Sequence, residues 1–296
     1  MSAGVILAMF GLLSCTSDNP VTTPEYVNQI DDWHAQRIDE LKSPAGWLNI
    51  AGLYWLAEGM NSFGTAESNA VVFPPNLGIA SAGYFILENG KVRQALLPGI
   101  QLTANGKLIS GTMDLFNVDS VRQPVMEAGT LRWFVIKRDN RYGVRLRDLH
   151  HPNLTSFKGI DRYPVDASWK VTATWEETPN RSIPIANVLG QTIATPAPGI
   201  LHFELQGQPF QLDALNEGDE ELFIIFGDGT NAKETYGAGR YLYVAKPDSA
   251  GQVVIDFNKA ENPPCAFTEF ATCPLPPVQN VMRLDVRAGE KDYSHH

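Results

Sequence analysis

The chain has 296 residues, 44% of them apolar and 19% charged, with a formal net charge of −10 and a pI near 5.1. That is globular composition with ample apolar material for a large core. An acidic balance with no basic run argues against nucleic acid as a partner, because phosphate binding needs a Lys/Arg surface.

The first segment with a pattern is Val5–Leu13, VILAMFGLL. It is an unbroken apolar run, much shorter than the roughly 20 residues a helix needs to span a bilayer. Its length suits the hydrophobic core of a signal peptide. Ser14 and Cys15 follow it directly. A small residue and then a cysteine at that place resembles the bacterial lipobox, whose cysteine is diacylated and becomes the new N-terminus. Thr16–Pro20 is polar and aperiodic, as a tether would be. The expected organisation is a signal peptide over 1–14, a lipidated tether over 15–22 and one β-rich domain over 23–292, built from halves 23–165 and 166–292. No aspartate follows Cys15, so the expected location is the outer membrane, facing the periplasm and held by the N-terminal lipid. The chain has three cysteines. With Cys15 taken by lipid, Cys265 and Cys273 remain, and in an oxidising compartment such a pair reads as a disulfide.

Residues 22–44 carry a helical signal. Thr23 suits the N-cap, Pro24 the first helical position and Glu25 the positive dipole end. Val27, Ile30, Trp33, Ile38 and Leu41 share one face, and Ser43-Pro44-Ala45-Gly46 ends the helix. Trp33 and Trp47 read as core anchors rather than ligand platforms.

Short β segments follow. Leu48–Leu56 is strongly apolar, with Glu58–Asn61 as a turn, and Ala70–Phe73 ends at two prolines. Gly83–Leu87 and Lys91–Ala95 flank an Asn-Gly turn, as do Ile100–Thr103 and Lys107–Ile109. Leu131–Lys137 and Tyr142–Arg147 form a further hairpin, and Trp169–Trp175 alternates apolar with polar. Strands are also expected at Ile200–Leu205, Pro209–Leu212, Leu222–Phe226, Arg240–Val244, Val253–Phe257 and Val281–Val286. Thr178–Pro198 reads as a long hairpin or an internal boundary. The expected fold is mainly β, in antiparallel sandwich- or barrel-like sheets with one N-terminal amphipathic helix. Neither a nucleotide-binding glycine fingerprint nor a 20–50-residue repeat is present.

Polar chemistry gathers late in the chain. Tyr236-Gly-Ala-Gly-Arg240 allows close backbone approach. Arg240 offers a planar fork for a carboxylate, either a ligand's or that of Asp256 or Glu290. Asn258, Asn262 and Asn280 can pin loop backbone, and the neighbouring prolines stiffen it. Such a cluster serves equally as a binding site or as a buried structural lock. As a site, its ligand-binding residues would be Tyr236, Arg240, Asn258, Asn262 and Glu290, and the ligand a small polar or anionic molecule. A carboxylate-based hydrolase would draw on Asp228, Glu234, Asp256 and Glu290, though no spacing selects two of them. A structural envelope protein is the third reading. No metal or other cofactor is expected. Cys265 and Cys273 lack two further ligands, His150 and His151 point to opposite faces of a strand, and no Gly-x-Ser-x-Gly elbow supplies a nucleophile. His295-His296 reads as a solvated tail.

The stretches YGAGRYL at 236–242, DFNKAENPPCAF at 256–267, CPLPPVQN at 273–280 and AGEK at 288–291 resemble the bacterial and archaeal family catalogued as domain of unknown function 1684. The resemblance extends through Gly46-Trp47-Leu48, Leu53-Tyr54-Trp55-Leu56 and Phe157-Lys158-Gly159, over residues 30–292. It implies no particular activity.

Overall fold

The computed structural model describes residues 20–117, 123–217 and 221–293. The signal-peptide segment 1–14, Cys15, most of the 15–22 tether and His295-His296 lie outside them.

Helix α1 runs from Pro24 to Lys42. The hydroxyl of Thr23 accepts a hydrogen bond from Tyr26 N at 3.3 Å, satisfying one of the free N–H groups at the helix start. Glu25 lies at the positive end and Lys42 at the negative end. Ile30 and Leu41 are buried, and so is Arg37, a charge in the middle of the apolar stripe.

The body is mainly antiparallel β. Its first part has two sheets. One orders Ile50–Trp55, Arg141–Asp148, Leu131–Arg138, Met126–Ala128, Leu102–Ala104 and Lys107–Ile109; the other is five-stranded and spans residues 59–116. They share a core rich in aromatic rings, where Phe63, Phe73, Phe85 and Trp133 meet. In the second part, six strands between Lys170 and Asp256 form one sheet. Its two end strands, Arg240–Ala245 and Gln252–Asp256, lie close to each other, so the sheet nearly closes into a barrel around Leu201, Leu212, Ile224, Ile255 and Phe257. Helix α1 precedes the first part in sequence but packs on the second. Tyr26 donates its hydroxyl to Asp256 at 2.8 Å, and Arg37 donates to the Asn262 carbonyl at 3.1 Å.

Both Asn-Gly turns form as expected. Asn89 and Gly90 have φ of 52° and 75°, and Asn105 and Gly106 have 46° and 75°, the left-handed pair such tight hairpins require. The Thr178–Pro198 stretch is a hairpin, Ser182–Ala186 against Thr192–Pro196.

Four segments differ from expectation. Glu58–Asn61 is not a turn; it leads into the strand Gly59–Gly64. Asn61 is buried and bonds the backbone of Ala57 and Gly59, so its polarity serves the strand's own start. Val281–Val286 is not a strand. Met282 N donates to Gly227 O, Gly229 N to Leu284 O, and Val286 N to the Asp228 carboxylate, which laces the segment to a turn instead of a sheet edge. Thr112–Phe116 and Met126–Ala128 are strands beyond those expected.

Candidate functional site

Arg240 lies in the interior, where Asp228 and the backbone of residues 286–290 converge on it. Its side chain is 0% exposed. One terminal nitrogen donates to Asp228 Oδ2 at 2.9 Å and to Val286 O at 2.8 Å; the other donates to Ala288 O and to Glu290 O. The guanidinium also lies 5.3 Å from the centre of the Phe226 ring. Its carboxylate partner is therefore Asp228, not Asp256 or the Glu290 side chain. Asp228 is itself saturated, accepting from Thr230 N, Thr230 Oγ1 and Val286 N as well. The network satisfies both terminal nitrogens and both carboxylate oxygens, leaving only the guanidinium Nε without a partner, and such charge-assisted bonding offsets the cost of burying an ion pair.

The glycines of the motifs serve the same convergence. Gly239 (φ 87°) and Gly289 (φ 77°) both adopt the left-handed region. A Cβ on Gly239 would collide with Pro276 and Phe226 O, and one on Gly289 with Ala260 and Phe257 O.

Of the other expected residues, Glu290 bonds Arg240 through its carbonyl, and the rest have partners elsewhere. The Asn258 amide donates to Tyr26 Oη, Asp166 O and Asp256 Oδ1, and its oxygen accepts from Asp166 N. Asn262 N donates to Glu290 Oε2 at 2.6 Å, and its amide donates to Lys291 O at 2.7 Å. Tyr236 packs half-buried against the cluster of Leu41, Leu48, Phe157 and Ile160. Asn280 bonds Asp213 and Ile225 backbone.

Beneath helix α1 the sequence reading missed a charged triad. Arg37 Nε lies 3.3 Å from Glu261 Oε2 and 3.5 Å from Glu290 Oε1, near ion pairs without hydrogen-bond geometry. Two carboxylates, Glu290 fully buried and Glu261 nearly so, thus share one guanidinium. Burial pushes the Glu261 carboxyl up to about 8 against the pull of Arg37, with Glu290 adding repulsion. Burial likewise raises Glu290. The sequence did carry a signal, since Arg37 occupies the same helical face as Ile30 and Leu41.

Cys265 and Cys273 form a disulfide, with Cα atoms 6.1 Å apart. The loop it closes walls a cavity of about 360 Å³ at the seam between the two parts of the body. From the first part come Trp47 and Arg138; the second part gives Ile193, Phe223, Tyr241 and Tyr243, and the disulfide loop gives Ala271 and Thr272. None of the five ligand-binding residues expected from sequence lines this cavity.

The wall carries positive charge. Arg138 Nε donates to Thr272 Oγ1 at 2.8 Å, and one of its terminal nitrogens donates to the Lys137 carbonyl at 2.9 Å. Behind it, Arg145 is 4% exposed and sits 5.2 Å from the Trp47 ring centre, with Phe270 O as a long 3.5 Å acceptor and its Nε unpartnered. Arg147 follows on the same sheet face and bonds Gly46 O and Asn49 Oδ1. Among the described residues none of the three forms an ion pair. Burial first, then repulsion from Arg138 and Arg147, brings the Arg145 guanidinium down to about 10; burial alone brings Arg147 to about 10 and lowers Arg138. The face alternates with buried Val144 and Leu146, so position marks it as the outer side of the strand; what covers it is distant in sequence and leaves no local trace.

Among the described residues no helix is long and apolar enough to cross a membrane, and no group of three or more His, Cys, Asp or Glu is placed to hold a metal ion. No curated protein matches the chain. A solution NMR structure of an uncharacterised protein of Haloarcula marismortui is similar at 28% identity, over 48% of this chain and 80% of that one, with a TM-score of 0.41. Residues 155–291, which hold the barrel, the Arg240 network and the disulfide loop, match the model of the family described as "Protein of unknown function (DUF1684)".

Proposed function

We propose that the protein is an exported, lipid-anchored binder of a small organic anion, and that the anion is held in the seam cavity by Arg138. The observation that carries this reading is a guanidinium that has no carboxylate partner among the described residues, on the wall of an aromatic cavity. Pockets of a few hundred Å³ with mostly apolar walls and few polar groups are the common form of small-ligand site. Arg145 behind Trp47 adds positive potential, and among the described residues it forms no ion pair. The Arg240 network, with every carbonyl and carboxylate it faces already engaged, takes the role of a lock that ties the turn at 227–230 to residues 286–290.

The hydrolase reading draws less support. Asp228, Asp256 and Glu290 are committed to Arg240, Tyr26 and Asn262, and none of them lines the cavity.

Thermal-shift screening of the full-length protein against small organic anions tests the binding reading. Stabilisation in the wild type that disappears in Arg138→Gln supports it; no shift with any anion refutes it. The anchoring part rests on the apolar run 5–13, on Ser14-Cys15, and on the disulfide, which suits an oxidising compartment. Cys15→Ser should release the protein from the membrane fraction, and persistence there would refute acylation.

A further inference from the structure

Building on the anion-binding reading, we propose that the ligand is an aromatic monocarboxylate, its carboxylate on Arg138 and its ring against Trp47, Phe223 and Tyr241. The polar groups of the wall decide this. Arg138 is the one charged residue among those lining the cavity. Asn187, Thr195, Thr272 and Tyr241 each already have a partner within the fold. Asn187 donates to Gln191 Oε1 and accepts from Leu189 N and Gln191 N. Thr195 donates to Ile193 O, Thr272 accepts from Arg138, and the Tyr241 hydroxyl donates to Pro274 O. A ligand rich in hydroxyls, such as a sugar acid, would find few free partners and would leave buried polar groups unmet. Inorganic phosphate would leave most of the cavity unfilled.

What remains is one cationic fork and a wall of rings and aliphatic groups. Phe223 and Tyr241 pack edge to face at 4.8 Å, and Phe223 and Tyr243 stack at 5.0 Å, so these rings hold one another in place. Trp47 carries the Arg145 guanidinium on its ring while lining the cavity. Rigid aromatic walls favour a flat, polarisable body over a flexible chain, which loses rotamer freedom on entry. A planar fork favours a carboxylate. A second anionic group on the ligand would meet no second cation in the lining.

The test is isothermal titration of the full-length protein with 1-naphthoate, hexanoate, 1-naphthamide and inorganic phosphate. The expected order places 1-naphthoate at least tenfold tighter than the other three. Arg138→Gln should weaken 1-naphthoate at least tenfold, while Arg138→Lys recovers part of the loss. Ile193→Trp, on a half-exposed rim position, should block entry without disturbing the core. Hexanoate or phosphate binding as tightly as 1-naphthoate, and still depending on Arg138, would overturn the ligand class and leave the anion site standing. Binding of 1-naphthoate that survives both Arg138→Gln and Ile193→Trp would overturn the placement. If no probe binds, the ligand class and the anion site fall together.

Discussion

Arg240 and Asp228 show how much one residue pair can hold. Both side chains are 0% exposed, and four backbone carbonyls or amides from 286–290 depend on them. Removing one partner leaves the other charged and alone in the interior, at a cost of about 3–5 kcal/mol. Arg240→Ala should therefore lower urea-unfolding stability by that order. Glu261 gives a second prediction. Its folded-state carboxyl titrates at about 8 against 4.5 in the open chain. Between those values the folded state binds the proton more tightly, so this contribution is complete below 4.5 and fades as pH rises through 8. Melting temperature should fall between pH 5 and 8.5, and Glu261→Gln should flatten that slope; a parallel slope in the variant would count against it. At this scale the sequence was informative about who takes part and less so about how. Arg240 is tied to the Glu290 backbone and Asn262 to the Glu290 carboxylate, whereas Asn258 bonds Tyr26, Asp166 and Asp256 and Tyr236 packs under helix α1; nothing local reveals that Asp228, twelve residues upstream, closes the guanidinium off from solvent.

At the scale of elements, punctuation was legible and coverage was not. Capping by Thr23, the two Asn-Gly turns and the alternation in Lys170–Glu177 each follow from neighbours in the chain. Val281–Val286 has strand composition, yet the Asp228 carboxylate and the Gly227–Gly229 turn claim its backbone. The cavity was invisible for the same reason, because Arg138, Arg145 and Trp47 become neighbours of Thr272 and Phe270 only through folding. The disulfide loop is the element that joins these groups. Cutting a bond that spans eight positions should cost about 2.5 kcal/mol through freedom returned to the unfolded chain. Reduction with a dithiol should lower the melting point accordingly. It should also weaken anion binding, because Thr272 would no longer be held against Arg138; undiminished affinity in the reduced protein would separate the loop from the site.

Across the whole molecule, helix α1 changes what counts as a folding unit. It comes before the first pair of sheets, but Tyr26, Arg37 and Thr22 bond Asp256, Asn262 and Ala167 on the barrel side. A fragment of 155–293 would carry Glu261 and Glu290 without their shared cation. It should show poor amide dispersion by NMR alone and gain a folded spectrum when a peptide of residues 20–44 is added. A well-dispersed spectrum from the fragment by itself would show that the helix is dispensable.

The cavity takes Trp47 and Arg138 from one part of the body and the rest of its wall from the other. Whatever occupies it must touch both, so occupancy becomes a mechanical strut across the seam. Pulled apart between residues 60 and 210 in an optical trap, the loaded protein should yield at a higher force than the empty one, and the increment should vanish with Arg138.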